Sequence, residues 1–195
     1  MFETLINTIR QTAPVSEEGI EKIIAALRVK HVKKKKNLLN EGDLANTIFY
    51  VNEGLFRHYI FDEQGIEHTI DLVAQHNWFG DAKAFLSQEP AEINIEALED
   101  SQVFLLSHDD LNRFYDEIPM FERLVRKIIE RYFVKSIERS KKINRVGYPA
   151  QERYLEFLRS HPKLGNRVPS IYLASYLGIT PETLSRLRSQ VLKHS

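Results

Sequence analysis

Near the end of the chain, a short series of polar side chains can bond to the base edges and phosphates of nucleic acid. Glu182, Ser185 and Arg186 are spaced three to four residues apart, so in a helix they share one face. Arg can bond guanine O6 and N7 together, and Glu can accept from the cytosine amino group. Arg188 and Lys193 lie further along and suit phosphates. The pattern predicts a helix that reads a major groove.

The residues before this series predict a second helix, joined to the first by a turn at Gly178. Thr180 is a suitable N-cap and Pro181 suits a first helical turn, so the reading helix should begin at Pro181. Ala174 is small enough to let the two helices approach closely. The alternative is a helical hairpin that only packs against another surface. In both cases the shared core would be apolar: Leu173, Leu177, Ile179, Leu184 and Leu187.

Charge is divided unequally along the chain. The 195 residues hold 27 Lys and Arg and 27 Asp and Glu, for a net charge of zero. Residues 119-195 contain 16 of the basic and 6 of the acidic residues, which leaves 11 basic and 21 acidic residues in 1-118. A basic part is the expected footprint of phosphate binding, and an acidic part limits non-specific attachment to nucleic acid. The predicted reading helix lies in the basic part.

The residue types do not favour an enzyme or a metal centre. There is no cysteine, which excludes disulfides, thiol catalysis and cysteine-ligated metals. Ser107, His108 and Asp109 are consecutive and cannot converge as a catalytic triad, so a helix-capping turn is the better interpretation. No catalytic residue, metal ligand or cofactor is predicted. The histidines lack the His-x-His spacing of a cupin metal site: His31, His58, His68, His76, His108, His161 and His194.

Composition is that of an ordinary globular chain, with 43% hydrophobic residues and room for one large or two small domains. The first ten residues lack the basic-then-apolar profile of a signal peptide. No window approaches the roughly 18 apolar residues of a membrane span. We therefore expect a cytoplasmic protein without a membrane partner.

Apolar periodicity predicts an α+β protein. Residues 1-28 should form two short helices that break near Pro14, with Ser16 as a cap. Between residues 33 and 107, short alternating runs are separated by Gly-containing turns, which predicts a small antiparallel barrel or jelly roll. The run Lys33-Lys34-Lys35-Lys36 is interpreted as a solvated or edge-protecting stretch at a strand start and is given no function.

Helical spacing returns after residue 107. Following a short helix over 108-117, apolar residues recur every three or four positions and predict a long helix over 119-146, roughly 40 Å in length. Such a stripe suits pairing with a second copy of the chain, and the alternative is a core helix within one chain. A further helix over 150-160 should precede the two helices that are joined by the turn at Gly178. The predicted domains are 1-118, 119-146 and 147-195.

The order of these parts resembles the Crp-Fnr family of bacterial transcription regulators, and the resemblance covers nearly the whole chain. Its most specific motif is Thr180-Pro181-Glu182-Thr183-Leu184-Ser185-Arg186, which is similar to the family's recognition-helix signature. The resemblance implies an N-terminal double-stranded β-helix (jelly-roll) sensor domain, a long dimerisation helix and a C-terminal helix-turn-helix domain. In the N-terminal part, the resemblance rests on turns that contain glycine: Glu41-Gly42-Asp43, Glu53-Gly54 and Phe79-Gly80-Asp81.

The resemblance implies a homodimer that binds a palindromic double-stranded DNA site, with two recognition helices roughly 34 Å apart. RNA polymerase is a further candidate partner. Glu182 and Arg186 should read a half-site with a TGA-like core, with Ser185 assisting. Family members commonly continue into a β-hairpin wing, but few residues follow the motif here, so affinity should depend more on Arg188 and Lys193. The alternative is a ligand-sensing or protein-interaction module whose helical tail binds a protein partner.

The resemblance also implies a cyclic-nucleotide cassette, which this chain alters. In nucleotide-binding members it begins Gly-Glu and ends in Arg-Ser or Arg-Thr, the arginine taking the ligand phosphate. Here it begins Gly80-Asp81, and the arginine position falls near Ala91 and Glu92. An anion would meet carboxylates without a guanidinium to offset them: Asp81, Glu89, Glu92 and Glu96.

We therefore expect that cyclic AMP and cyclic GMP do not bind in the usual way. The degenerate effector pocket would include Phe79, Gly80, Asp81, Ala91 and Glu92. Two alternatives follow for its interior. It holds another ligand, or it is filled by side chains such as Phe79, Phe85 and Trp78.

Overall fold

The computed structural model describes residues 1-143 and 149-192, which form eight helices and eight strands in an α+β arrangement. The helices are α1 (Glu3–Thr12), α2 (Glu17–Ala26), α3 (Ala82–Ser87), α4 (His108–Glu117), α5 (Phe121–Ile143), α6 (Ala150–Ser160), α7 (Ser170–Leu177) and α8 (Pro181–Leu192). The strands are β1 (Arg28–Val32), β2 (Asn37–Leu39), β3 (Thr47–Glu53), β4 (Leu55–Phe61), β5 (Glu67–Ala74), β6 (Trp78–Phe79), β7 (Asn94–Ala97) and β8 (Ser101–Ser107).

The strands form two four-stranded sheets, ordered β1-β8-β3-β6 and β2-β7-β4-β5. The pairs β1-β8, β3-β8, β3-β6, β2-β7 and β4-β7 are all antiparallel. Successive side chains of a strand point to opposite faces of its sheet, so every second residue can enter a core between the sheets. This core contains side chains from both sheets, including Val51, Val103, Phe56 and Ile95. The predicted antiparallel β-structure between residues 33 and 107 is confirmed as a β-sandwich.

A second apolar core covers the other face of the first sheet. Tyr50 and Phe104 are opposite one another on β3 and β8, and their rings stack with centroids 5.9 Å apart. Helices α1, α2 and α4 contribute buried residues to the same core, among them Leu5, Ile23 and Phe114. The amphipathic helices before and after the strands therefore share one surface of the sandwich.

Side-chain caps set the helix starts near both ends of the sandwich. Ser16 accepts from the N–H of Gly19 at 3.1 Å, and Ser107 accepts from the N–H of Asp110 at 3.1 Å. Both caps were expected from the sequence, and both are confirmed. The capping role of Ser107 accounts for the adjacent Ser, His and Asp without any catalytic arrangement.

The lysine run lies between two strands, so its predicted position at a strand start is wrong. β1 ends at Val32 and β2 begins at Asn37, and the four lysines form the connecting turn. The turn requires Lys35 at φ 65°, and the backbone of Lys35 and Lys36 bonds to Ala97. All four lysines are exposed, which agrees with the predicted solvated stretch.

Helix α5 has 23 residues, from Phe121 to Ile143, within the predicted range of 119-146. Its first turns bury Phe121 and Leu124 in the core shared with α1, α2 and α4. Later apolar side chains are exposed: Ile129, Tyr132, Phe133, Val134 and Ile137. The first turns of α5 therefore agree with the alternative of a core helix, and the later turns present an exposed apolar stripe. The predicted end near residue 146 lies outside the described residues.

Contacts divide the chain into two compact units. The first contains Met1–Tyr59 and Leu72–Phe133, and the second contains Ile60–Asp71 and Val134–Ser195. The predicted boundaries after residues 118 and 146 differ from this division, because the start of α5 is buried in the first unit. The hairpin between β4 and β5 is grouped with the C-terminal helices. None of the described helices is long and apolar enough to cross a membrane.

Candidate functional site

Gly178 ends α7 in the left-handed conformation, with φ 62° and ψ 40°. Its N–H donates to the Ser175 carbonyl at 3.0 Å, and the N–H of Ile179 donates to the Ala174 carbonyl at 3.0 Å. These bonds satisfy carbonyls at the helix end, and glycine adopts the required backbone conformation without steric cost. The predicted turn between two helices at Gly178 is confirmed.

Helix α8 begins at Pro181, as predicted. The Thr180 hydroxyl accepts from the N–H of Thr183 at 3.2 Å and so caps the helix. Ala174 and Leu184 are fully buried, which fits the close approach expected where one helix presents a small side chain. Further buried apolar residues of this unit come from α6, the loop after it, α7 and α8: Tyr154, Phe157, Leu164, Val168, Leu173, Leu177 and Leu187.

The opposite face of α8 presents the predicted reading residues. Glu182, Ser185 and Arg186 are all exposed, as are Ser189 and Gln190 further along. Because Leu184 and Leu187 point into the core, the exposed residues form one continuous polar face. The structure therefore brings the three predicted residues together on a surface that a ligand can reach.

Local hydrogen bonds orient two of these side chains. Arg186 donates from Nη2 to Thr183 Oγ1 at 3.3 Å. The backbone N–H of Glu182 itself, followed by the Thr180 hydroxyl, holds the pKa of the Glu182 carboxyl below its ordinary value. Glu182 is therefore ionised at neutral pH and can act as a hydrogen-bond acceptor.

Arg188 has a different environment from the one that sequence analysis assumed. Its guanidinium donates from Nη1 to Ser170 Oγ at 2.6 Å and from Nη2 to the Gly165 carbonyl at 2.8 Å. These bonds tie α8 to the start of α7 and to the preceding loop. Arg188 follows the buried Leu184 by one helical turn, a spacing that could have indicated a half-buried position. Lys193 lies outside the described residues.

The β4-β5 hairpin contributes a contact to the same unit. The backbone N–H of Thr69 donates to Ser175 Oγ on α7 at 2.9 Å. The turn of the hairpin is organised by Asp62, which accepts from the N–H groups of Gln64 and Ile66 at 2.9 Å each. Sequence reasoning missed the Thr69–Ser175 bond, because no local pattern pairs residues so far apart in the chain.

The predicted effector residues lie at the end of β6 and in the connection from β6 to β7, which we call the effector segment. Phe79 and Ala91 are buried in the core between the sheets, and Glu92 is exposed. Gly80 has φ 151°, a backbone conformation that favours glycine, and a Cβ atom there would lie 2.8 Å from Ile48 Cδ1. Asp81 is buried and caps α3.

Aromatic rings fill the core between the sheets around Phe79. The Phe79 ring centroid lies 4.9 Å from that of Phe56 and 5.5 Å from that of Phe49. Of the side chains named in the alternative of a filled pocket, Phe85 and Trp78 do not lie here, because both pack in the core on the helical side of the first sheet. Trp78 and Phe79 are adjacent on β6, and adjacent strand residues point to opposite faces.

One of the four carboxylates in the predicted acidic set is paired with a guanidinium. Glu96 and Arg57 lie opposite one another on β7 and β4, and Arg57 Nε donates to Glu96 Oε2 at 2.5 Å. The expectation that no guanidinium offsets these carboxylates is therefore wrong for Glu96. Lys83 forms an ion pair with Glu92 at the surface. Among the described residues, no group of three or more His, Cys, Asp or Glu is placed to hold a metal ion.

A family model matches the sandwich region. Residues 29–117 match the model of the cyclic nucleotide-binding domain. The matched range runs from β1 to the end of α4 and contains both sheets and the effector segment. A search of curated proteins finds no match.

Solved structures show the same fold at low sequence identity. FixK2 from Bradyrhizobium japonicum is 19% identical with a TM-score of 0.75, over 86% of this chain and 85% of that chain. The c-di-GMP-responsive global regulator CLP of Xanthomonas campestris is 15% identical with a TM-score of 0.71, over 92% and 93%. The catabolite activator protein of Thermus thermophilus is 19% identical with a TM-score of 0.54, over 92% and 84%.

Proposed function

We propose that this chain is a sequence-specific DNA-binding transcription regulator of the Crp-Fnr type. In this proposal it binds a palindromic site as a homodimer and does not respond to cyclic AMP. The observation that carries the proposal is the exposed face of α8, where Glu182, Ser185 and Arg186 lie together on a helix capped by Thr180. The fold shared with FixK2 and CLP supports it.

The α7-turn-α8 arrangement has the properties of a helix-turn-helix unit. The turn at Gly178 and a shared apolar core fix the reading helix, so its backbone does not have to be ordered on binding. Arg186 supplies the fork that recognises guanine, and ionised Glu182 supplies an acceptor for the cytosine amino group. Thr180 and Pro181 are exposed at the helix start, where backbone N–H groups favour a phosphate.

The exposed stripe of α5 supports a homodimer. Ile129 is 52% exposed and Phe133 is 62% exposed, and with Tyr132, Val134 and Ile137 they follow one another at helical spacing. Large apolar side chains at this spacing suit a second copy of the same helix, because each can enter a space between side chains of its partner. A symmetric dimer would present two reading helices and would recognise a palindrome. RNA polymerase is a further partner in this proposal.

The effector segment supports independence from cyclic nucleotides. The position where nucleotide-binding relatives would place an arginine falls near Ala91, which is buried among apolar side chains, and Glu92, which is exposed and paired with Lys83. The core between the sheets is occupied by the rings of Phe49, Phe56 and Phe79. A phosphate at this place would lose water without gaining a cation.

Selection of binding sites from a random pool of duplex oligonucleotides tests the proposal. The expected result is a palindrome with one guanine-containing half-site for each reading helix. Affinity for this site should fall by roughly three to five decades between 50 and 200 mM salt if six to ten phosphates are contacted. Recovery of no preferred sequence, with salt-insensitive binding to a protein partner, would support the protein-interaction alternative and reject the DNA reader.

A further inference from the structure

The Asp81 side chain joins the two ends of the effector segment. Its Oδ1 accepts from the N–H of Ala84 at 3.1 Å, and its Oδ2 accepts from the N–H of Glu92 at 2.8 Å. Asp81 and Glu92 are eleven positions apart, so one carboxylate holds the start of α3 and the approach to β7 together. The side chain is only 7% exposed.

Backbone bonds complete this closed segment. The carbonyl of Asp81 accepts from the N–H of Phe85 at 2.8 Å, and the carbonyl of Ala84 accepts from the N–H of Glu89 at 3.2 Å. Within the described parts of the chain, Asp81 forms no ion pair, and both of its carboxylate oxygens accept from backbone N–H groups. Hydrogen bonds from N–H groups to a carboxylate are stronger than those to a neutral acceptor, particularly where water is excluded.

We propose that the Asp81 carboxylate is a built-in substitute for a bound anion. It holds the segment 81-92 closed without an effector, so DNA binding by this chain does not depend on an anionic ligand. The claim about DNA binding rests on the proposed function, whereas the claim that Asp81 holds the segment closed does not. A covalently attached carboxylate is present at a high effective concentration, and therefore a free anion cannot readily displace it.

The charges beside Asp81 reinforce this exclusion. Glu89 and Glu92 belong to the same segment, and Lys83, which is near all three carboxylates, is paired with Glu92. A phosphate group that entered here would have to replace Asp81 at the two N–H groups while facing carboxylates of the same sign. A ligand that prefers the closed state cannot shift the equilibrium much further when that state is already populated.

Amide hydrogen exchange in the full chain tests the closed segment without reference to DNA. The Asp81→Ala variant should exchange the amides of Ala84 and Glu92 about tenfold faster or more, because each loses a charged acceptor. Formate should restore part of the protection, whereas chloride at the same ionic strength should not. The control is Glu89→Ala, which removes an exposed carboxylate bonded to Ser87 and should leave both amides unchanged. Unchanged exchange in Asp81→Ala would overturn the proposal.

The Asp81→Asn variant covers the case in which Asp81→Ala does not fold. Asparagine keeps the size and one acceptor oxygen but loses the charge, so exchange at Glu92 should still accelerate. If asparagine protects both amides as well as aspartate does, the charge is irrelevant and the proposal is wrong.

DNA affinity then tests the effector-independent state. Wild-type protein should bind its selected site equally well with and without cyclic AMP, and Asp81→Ala should bind it about tenfold more weakly. Stronger binding of the wild type on addition of cyclic AMP would overturn the proposal, as would unchanged DNA affinity in a variant whose segment has opened. If the wild type selects no DNA sequence, the proposed function fails, while the exchange experiment still decides the role of Asp81.

Discussion

Arg57 and Glu96 form a buried ion pair across β4 and β7, with side chains that are 3% and 10% exposed. The two residues are opposite one another in the sheet register, and the Arg57 guanidinium also lies 4.1 Å from the centre of the Tyr59 ring. Charges taken out of water require such close partners. The pair supports the register of β4 against β7, the strand that follows the effector segment.

Removal of one partner should destabilise the protein strongly. Glu96→Ala leaves the Arg57 charge buried, and its free energy of unfolding should fall by about 3–5 kcal/mol. The double variant Arg57→Met, Glu96→Leu should lose much less, because it leaves no buried charge. Urea denaturation of Arg57→Met alone, Glu96→Leu alone and the double variant measures this coupling. If the stability lost by the double variant equals the sum of the losses of the two single variants, the pair does not act as a unit.

Local features of this fold could be predicted from the sequence. The caps at Ser16, Ser107 and Thr180 and the turn at Gly178 depend on bonds within a few residues, so residue type and spacing indicate them directly. The exposed face of α8 followed from helical period alone. These features also place Glu182 and Arg186, which make up the central part of the candidate site.

Features that depend on distant residues could not be predicted in this way. The partner of Glu96 is 39 positions away, and nothing near either residue indicates it. Aromatic character does not tell which face of a sheet is filled, so the sequence could not separate Phe79 from Trp78 and Phe85, which lie in the other core. The Asp81 carboxylate looked like one of several repulsive charges, and only the folded segment shows its two N–H donors.

Replacement of Arg186 by Ala should relax DNA sequence preference at one base position in each half-site. The loss of a bidentate contact to guanine should reduce discrimination at that position by about 1–3 kcal/mol. Competition binding with single-base variants of the selected site measures it. Arg159→Ala is the matched control, because Arg159 is an exposed arginine of α6 that pairs with Glu156. An equal loss of affinity at all positions would instead make Arg186 a phosphate contact.

Replacement of Arg188 by Ala should destabilise the C-terminal unit. The variant removes the donors to the Gly165 carbonyl and to Ser170 Oγ, and the free energy of unfolding should fall by about 1–3 kcal/mol. Thermal unfolding measures this loss, and Ser170→Ala should reproduce part of it. A phosphate role predicts another result, in which stability is unchanged and the salt dependence of DNA binding becomes less steep by about one unit.

The pKa of Asp62 should depend on His68. Hydrogen bonding to His68, then to the N–H of Ile66, holds this pKa below its ordinary value. His68→Ala should therefore raise the Asp62 pKa, though the N–H bonds should keep it lowered. Since the Asp62 pKa is lower in the folded than in the unfolded protein, ionised Asp62 stabilises the fold. This stabilisation is present above about pH 4 and is lost as pH falls through the folded pKa. Carboxyl NMR titration tests the shift, and His31→Ala should leave the Asp62 titration unchanged.

A charge on the exposed stripe of α5 should prevent the homodimer. In Ile129→Glu, a carboxylate would enter the apolar contact between two copies of the helix, where it has no partner and loses its water. Sedimentation equilibrium should show a monomer, and affinity for the palindrome should fall while affinity for one half-site is retained. Val29→Glu is the control, since Val29 is an exposed apolar residue on β1 and belongs neither to this stripe nor to segment 81-92. If Ile129→Glu sediments as the wild type does, α5 does not form the dimer contact, and pairing of the reading helices needs another surface.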